Sequence, residues 1–215
     1  MRRSWQGGWI ATALCAMPLL AVAQPEAPAP EPAATVNAVW VERKVSFTYM
    51  PLTSYYSCDG LRDKVRWILR ELGARPDLTV RARGCIELQG PELFPGVEIA
   101  AAFPAEATPE LLGQLAADAS KQQLAARATG KSDPVNEAAA QFPARVKRVE
   151  FESDRTNLSE LQDGDCELME QLVRNDVFGK LGAKVVDAQT HCVPRQVTLG
   201  AVRMAVEVLE PTPAQ

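Results

Sequence analysis

The chain has 215 residues, 47% of them hydrophobic, with 23 basic side chains against 27 acidic ones, one histidine and five cysteines. Charges of both signs are interspersed, so there is no basic stripe for nucleic acid, and a lone histidine excludes a multi-histidine metal centre. Beyond the N-terminus no apolar run approaches the roughly eighteen residues that a spanning helix needs, so a soluble product without stable membrane insertion is expected.

The chain opens with two arginines, an apolar run from Trp9 to Val22 and the small residues Ala21-Val22-Ala23. This is the layout of a cleavable secretory signal peptide over residues 1–23, and it predicts a periplasmic or secreted protein. Cleavage removes Arg2 and Arg3, leaving 21 basic against 27 acidic side chains, a net charge of −6. Residues 24–36 begin QPEAPAPEPAA, a proline- and alanine-rich linker that cannot bury apolar surface. Folding is expected from about Asn37, with a single domain over 37–210 and a short tail over 211–215.

Within that domain a segment recurs, over about 40–104 and again over about 145–210. Val45 and Phe47 answer Val149 and Phe151, Cys58 answers Cys166, Gly73-Ala74 answers Gly182-Ala183, and Cys85 answers Cys192, with one extra residue in the second helix. In the first copy Val45, Phe47 and Tyr49 alternate with Lys44, Ser46 and Thr48, the period of a half-buried strand. Leu61, Val65, Ile68, Leu69 and Leu72 then fall on one helical stripe. Ser57 or Asp59 can cap its start, and Gly73 can close its end.

Strands over 78–83 and 97–103 follow. The crossover through the helix makes the first two strands parallel, and the second and third form an antiparallel hairpin. Between the copies, Thr108-Pro109-Glu110 starts a connecting helix over 108–128. Residues 129–143 read as a connection. The second copy repeats the plan, with Asp163 or Asp165 at the helix start, Leu168, Met169, Leu172 and Val173 inward, Gly182 at the end, and strands over 184–188 and 201–209. The expected fold is therefore α+β, two duplicated βαββ units joined by a helix, βαββαβαββ overall, with a split-βαβ, ferredoxin-like element order in its first part.

Four cysteines remain after signal cleavage. A single unit before duplication could pair only Cys58 with Cys85, so the copies should keep that bridge and its counterpart, Cys166 with Cys192. A helix start and the end of the next strand lie at the same level of a crossover, within reach of a disulfide. No CxxC pair points to zinc or redox chemistry.

No GxSxG, HExxH, P-loop or GxGxxG motif occurs, so neither a catalytic centre nor a cofactor is indicated. The candidate binding residues are Tyr55, Tyr56, Trp67, Arg81 and Arg83 in the first copy, aromatic and arginine types that dominate binding hot spots. The second copy lacks the tyrosine pair and the tryptophan, which suggests that one half binds while the other supports.

The stretch CDGLRDKVRWILRELGARPDLTVRARGC, residues 58–85, resembles segments of exported proteobacterial proteins of unassigned function. That resemblance implies an envelope location and no particular chemistry. The reading that follows is a non-catalytic binding or assembly module acting on an unknown envelope protein or small ligand. The alternatives are an envelope hydrolase or transferase whose carboxylates meet only in the fold, and a small-ligand or metal-binding periplasmic protein using His191. Nothing in the residues names the ligand or the oligomeric state.

Overall fold

The alternation at Val45, Phe47 and Tyr49 turns these side chains inward on β1, Thr35–Thr48. The computed structural model describes residues 34–85, 93–129, 140–153, 161–190, 192 and 202–212, all within one unit, Ala33–Gln215. The expected signal peptide, most of the expected linker and His191 lie outside the described residues.

After β1 come α1 (Cys58–Glu71), β2 (Thr79–Arg83), β3 (Gly96–Glu106), α2 (Pro109–Thr129), β4 (Phe142–Glu152), α3 (Cys166–Arg174), α4 (Val177–Leu181), β5 (Lys184–Gln189) and β6 (Arg203–Pro211). They form the α+β architecture expected of duplicated βαββ units. One six-stranded sheet runs β2-β3-β1-β4-β6-β5, with every neighbouring pair antiparallel. β1 and β2 do run parallel, but β3 lies between them, so the helical crossover is split. β5 and β4 flank β6 in the same way.

β1 starts two residues before Asn37 because Thr35–Ala38 pair with Arg145–Phe142 at the seam between the copies. Ala38 lies opposite Phe142, and these two residues are 104 apart, the same offset that relates Val45 to Val149. A pseudo-two-fold axis therefore passes between them. The seam is short, and Trp40 stacks on Phe142 beside it with ring centroids 5.3 Å apart.

The stripe of α1 is buried as its spacing predicts, through Leu61, Val65, Ile68, Leu69 and Leu72. Each such side chain contributes about 1.5–3 kcal/mol over exposure. Ser57 caps the helix, accepting the Gly60 amide at 3.1 Å, and Gly73 closes it at φ 81°. In the second copy the extra residue breaks the expected single helix into α3 and α4, with Asp176 left-handed at φ 52° between them. The break preserves the core. Leu61 and Val65 correspond to Met169 and Val173 before it, and Ile68, Leu69 and Leu72 correspond to Val177, Phe178 and Leu181 after it. All except Val173, which is partly buried, are inside. Helices and inner sheet faces of both copies share one apolar core.

Both expected disulfides are present, Cys58–Cys85 and Cys166–Cys192, with Cα separations of 6.1 and 5.8 Å. The connecting helix α2 starts as expected, the Thr108 hydroxyl accepting the Leu111 amide, yet it buries only Ala126. Among the described residues no helix is long and apolar enough to cross a membrane.

Candidate functional site

β1 ends at Thr48 opposite Gly96, and the Tyr49 amide then bonds the Pro95 carbonyl at 2.9 Å. That bond brings the loop after β1 against the segment before β3. On these two segments stand Met50, Leu52, Tyr55, Leu93 and Phe94, each more than half exposed. They are five of the seven large apolar side chains exposed among the described residues, the others being Leu124 and Val146. Two short segments joined by a backbone hydrogen bond thus carry most of the exposed large apolar side chains of the described residues, which is not the scattered exposure of an ordinary surface.

The loop carrying Met50, Leu52 and Tyr55 is fixed by the other copy. Gln171 on α3 accepts the Met50 amide at 2.9 Å and donates to the Met50 carbonyl at 2.7 Å. Glu167 Oε2 accepts the amides of Leu52, Thr53 and Ser54 at 3.2, 3.0 and 3.2 Å. The Tyr49 hydroxyl lies 3.1 Å from the same oxygen and 2.8 Å from the Ser54 carbonyl. Three convergent amides around one carboxylate oxygen form an anion-binding concavity occupied by a side chain of the same protein. Burial opposes the charge on Glu167, but the Thr53, Ser54 and Leu52 amides outweigh it and hold the carboxyl below its ordinary range.

A second tie lies alongside. Asp165 Oδ2 meets Lys64 Nζ at 2.9 Å, its other oxygen accepts the Tyr56 hydroxyl, and Oδ2 also accepts the Gln162 amide at 2.7 Å. Asp165 therefore stands at the start of α3, where Asp163 or Asp165 was expected, but its side chain does not bond that helix's amides. Burial first, and then Asp165, raises the Tyr56 phenol above its ordinary range. Burial and Glu167 do the same to Tyr49. Both tyrosines stay neutral donors.

The candidate residues are thus separated. Tyr55 belongs to the exposed patch. Tyr56 is turned inward, its ring edge-on to Tyr49 at 5.1 Å, and Trp67 packs against the core, edge-on to Phe151 at 6.0 Å. Arg81 and Arg83 stand on the outer face of the sheet, Arg83 opposite Gly96 where β3 begins. There they line an open groove of about 520 Å³ with Glu42, Lys44, Ser46 and Glu98. Arg83 reaches Glu98 at 3.3 Å.

Glu167, Gln171 and Asp165 were not readable as partners of the first copy, because their role lies in a contact 109–121 residues distant in sequence. Met50, Leu52 and Phe94 could have been noticed as large apolar residues beside prolines in polar loops. Among the described residues no group of three or more His, Cys, Asp or Glu is placed to hold a metal ion. No family model, curated protein or solved structure matches the chain.

Proposed function

We propose that the protein is an exported, non-catalytic binding or assembly module of the cell envelope, and that the loop end of the first copy meets a protein partner. The observation that carries this reading is the exposure of Met50, Leu52 and Tyr55 on a loop whose backbone is pinned by Glu167 and Gln171, with Leu93 and Phe94 exposed on the segment bonded beside it. Exposed apolar side chains gain free energy only when a partner covers them. A loop whose backbone is already held by five hydrogen bonds from the Glu167 and Gln171 side chains loses little further entropy on binding, which is the preorganisation that tight interfaces use. Cys58–Cys85 ties the start of α1 to the segment that follows β2.

The experiment is capture from the native envelope fraction by crosslinking, with the wild-type protein and the Leu52→Asp/Phe94→Asp variant compared side by side. Partner recovery should fall at least about ten-fold in the variant, as expected when central apolar contacts are removed, with circular dichroism unchanged. Equal recovery from the two proteins would sink the reading.

A further inference from the structure

The seam between the copies covers only part of each central strand. β1 pairs with β4 over Thr35–Ala38, and from Val39 to Thr48 its second edge meets no strand among the described residues. β4 is likewise without a partner on that side from Val146 to Glu152. Each unpaired edge lies in a groove, that of β1 lying beside α4, which packs against the strand, and the pseudo-two-fold relates the two grooves: Val45, Ser46 and Lys180 at one correspond to Val149, Glu150 and Glu71 at the other.

Their charges are opposite. The β1 groove, about 550 Å³, is lined by Arg43, Lys44, Val45, Ser46 and Lys180, three cations and no acid. Four consecutive residues of one strand can line one groove only where it follows the strand's edge, since successive side chains alternate between faces. Arg43 has no acidic partner among the described residues; its guanidinium lies over Gly182, where a Cβ would collide with it. The equivalent Lys147 is instead neutralised by Glu210 at 2.7 Å. The β4 groove, about 230 Å³, contains Glu71, Glu150 and Glu152, with Trp67 on its wall and no cation in its lining. Glu150 and Glu152 touch Arg148 and Arg203 only as exposed pairs, which hold little free energy and exchange readily.

We infer that the β1 edge of one molecule takes the β4 edge of a second copy, adding it antiparallel so that Arg43, Lys44 and Lys180 face Glu71, Glu150 and Glu152. An open edge is a template for strand addition. Like charges disfavour pairing of β1 with another β1, so the complementary edge is the one selected. The contact is head-to-tail, using different surfaces on the two molecules, and it leaves one open edge at each end of the pair. It does not involve the loop patch, so it stands or falls separately from the partner reading.

Sedimentation velocity at concentrations up to about 500 µM and low ionic strength provides the test, because salt screens such contacts. The wild-type protein should self-associate and dissociate as salt rises. Lys44→Glu/Lys180→Glu and Glu71→Lys/Glu152→Lys should each sediment as monomers. An equimolar mixture of the two variants should regain the association, since the reversed edges match each other. A wild-type monomer throughout, association unchanged by either charge reversal, or a mixture that stays monomeric would each overturn the inference. Far-UV circular dichroism of both variants confirms that the fold is retained.

Discussion

The starts of the two repeated helices occupy equivalent places and do opposite things. In the first copy Asp59 and Asp63 face solvent and pair with Arg62 on their own helix. Their counterparts in the second copy, Glu167 and Gln171, are buried and spend their hydrogen bonds on the loop of the first. Of the four buried polar or charged side chains among the described residues, three, Asp165, Glu167 and Gln171, act across the copies. A duplicated scaffold has thus been divided between a copy that presents a surface and a copy that holds it in place. The difference teaches that the polar positions, rather than the shared apolar ones, carry the specialisation.

Three measurements would break or sharpen that division. The largest effect is expected from the disulfides, which close loops of similar span at sequence separations of 27 and 26. Replacing either pair by alanine should cost about 3 kcal/mol in urea unfolding. Losing Cys166–Cys192 should loosen the Met50–Ser54 amides in hydrogen exchange as well, because α3 holds them; protection unchanged there would contradict the support role.

Next is Glu167. Glu167→Ala leaves three amides without their carboxylate and should cost about 2–3 kcal/mol, whereas Asp59→Ala should stay within about 0.5 kcal/mol. The folded-state pKa of Glu167 is depressed, so its contribution is complete above the unfolded-state value of about 4.3 and is lost as pH falls through the folded value. Thermal unfolding at decreasing pH should therefore show a loss in the wild type that Glu167→Gln lacks, and parallel curves would contradict the assignment.

The smallest effect is at the helix break. Asp176→Gly should stabilise by about 1 kcal/mol, since glycine adopts the left-handed conformation without steric cost. A loss of stability there would show that the aspartate side chain is holding the turn.

Much of the architecture was legible because it repeats. Period two at Val45, Phe47 and Tyr49, the α1 stripe, the stops at Gly73 and Gly182 and both cysteine pairs are local or duplicated signals, and each is found in place. The extra residue in the second helix was visible, but not its remedy, a break at Asp176 that keeps Val177, Phe178 and Leu181 in register with the core. The site was less legible. Tyr56 and Trp67 look the same in sequence whether they face water or the other copy, and only contacts with Asp165 and Phe151 of the second copy decide that both turn inward. Glu167 reads as an ordinary first-turn acid until the loop of the first copy closes over it.

The connecting helix has a consequence of its own. Because α2 lends only Ala126 to the interior, this helix contributes little to the recognition of one copy by the other, which among the described residues resides in the seam, the shared core and the Lys64–Asp165 and Glu167 ties. A nick anywhere along its exposed length would leave two fragments, each with its own disulfide and three strands, still carrying the complementary surfaces that bring them together. The chain is in effect a heterodimer written as one polypeptide.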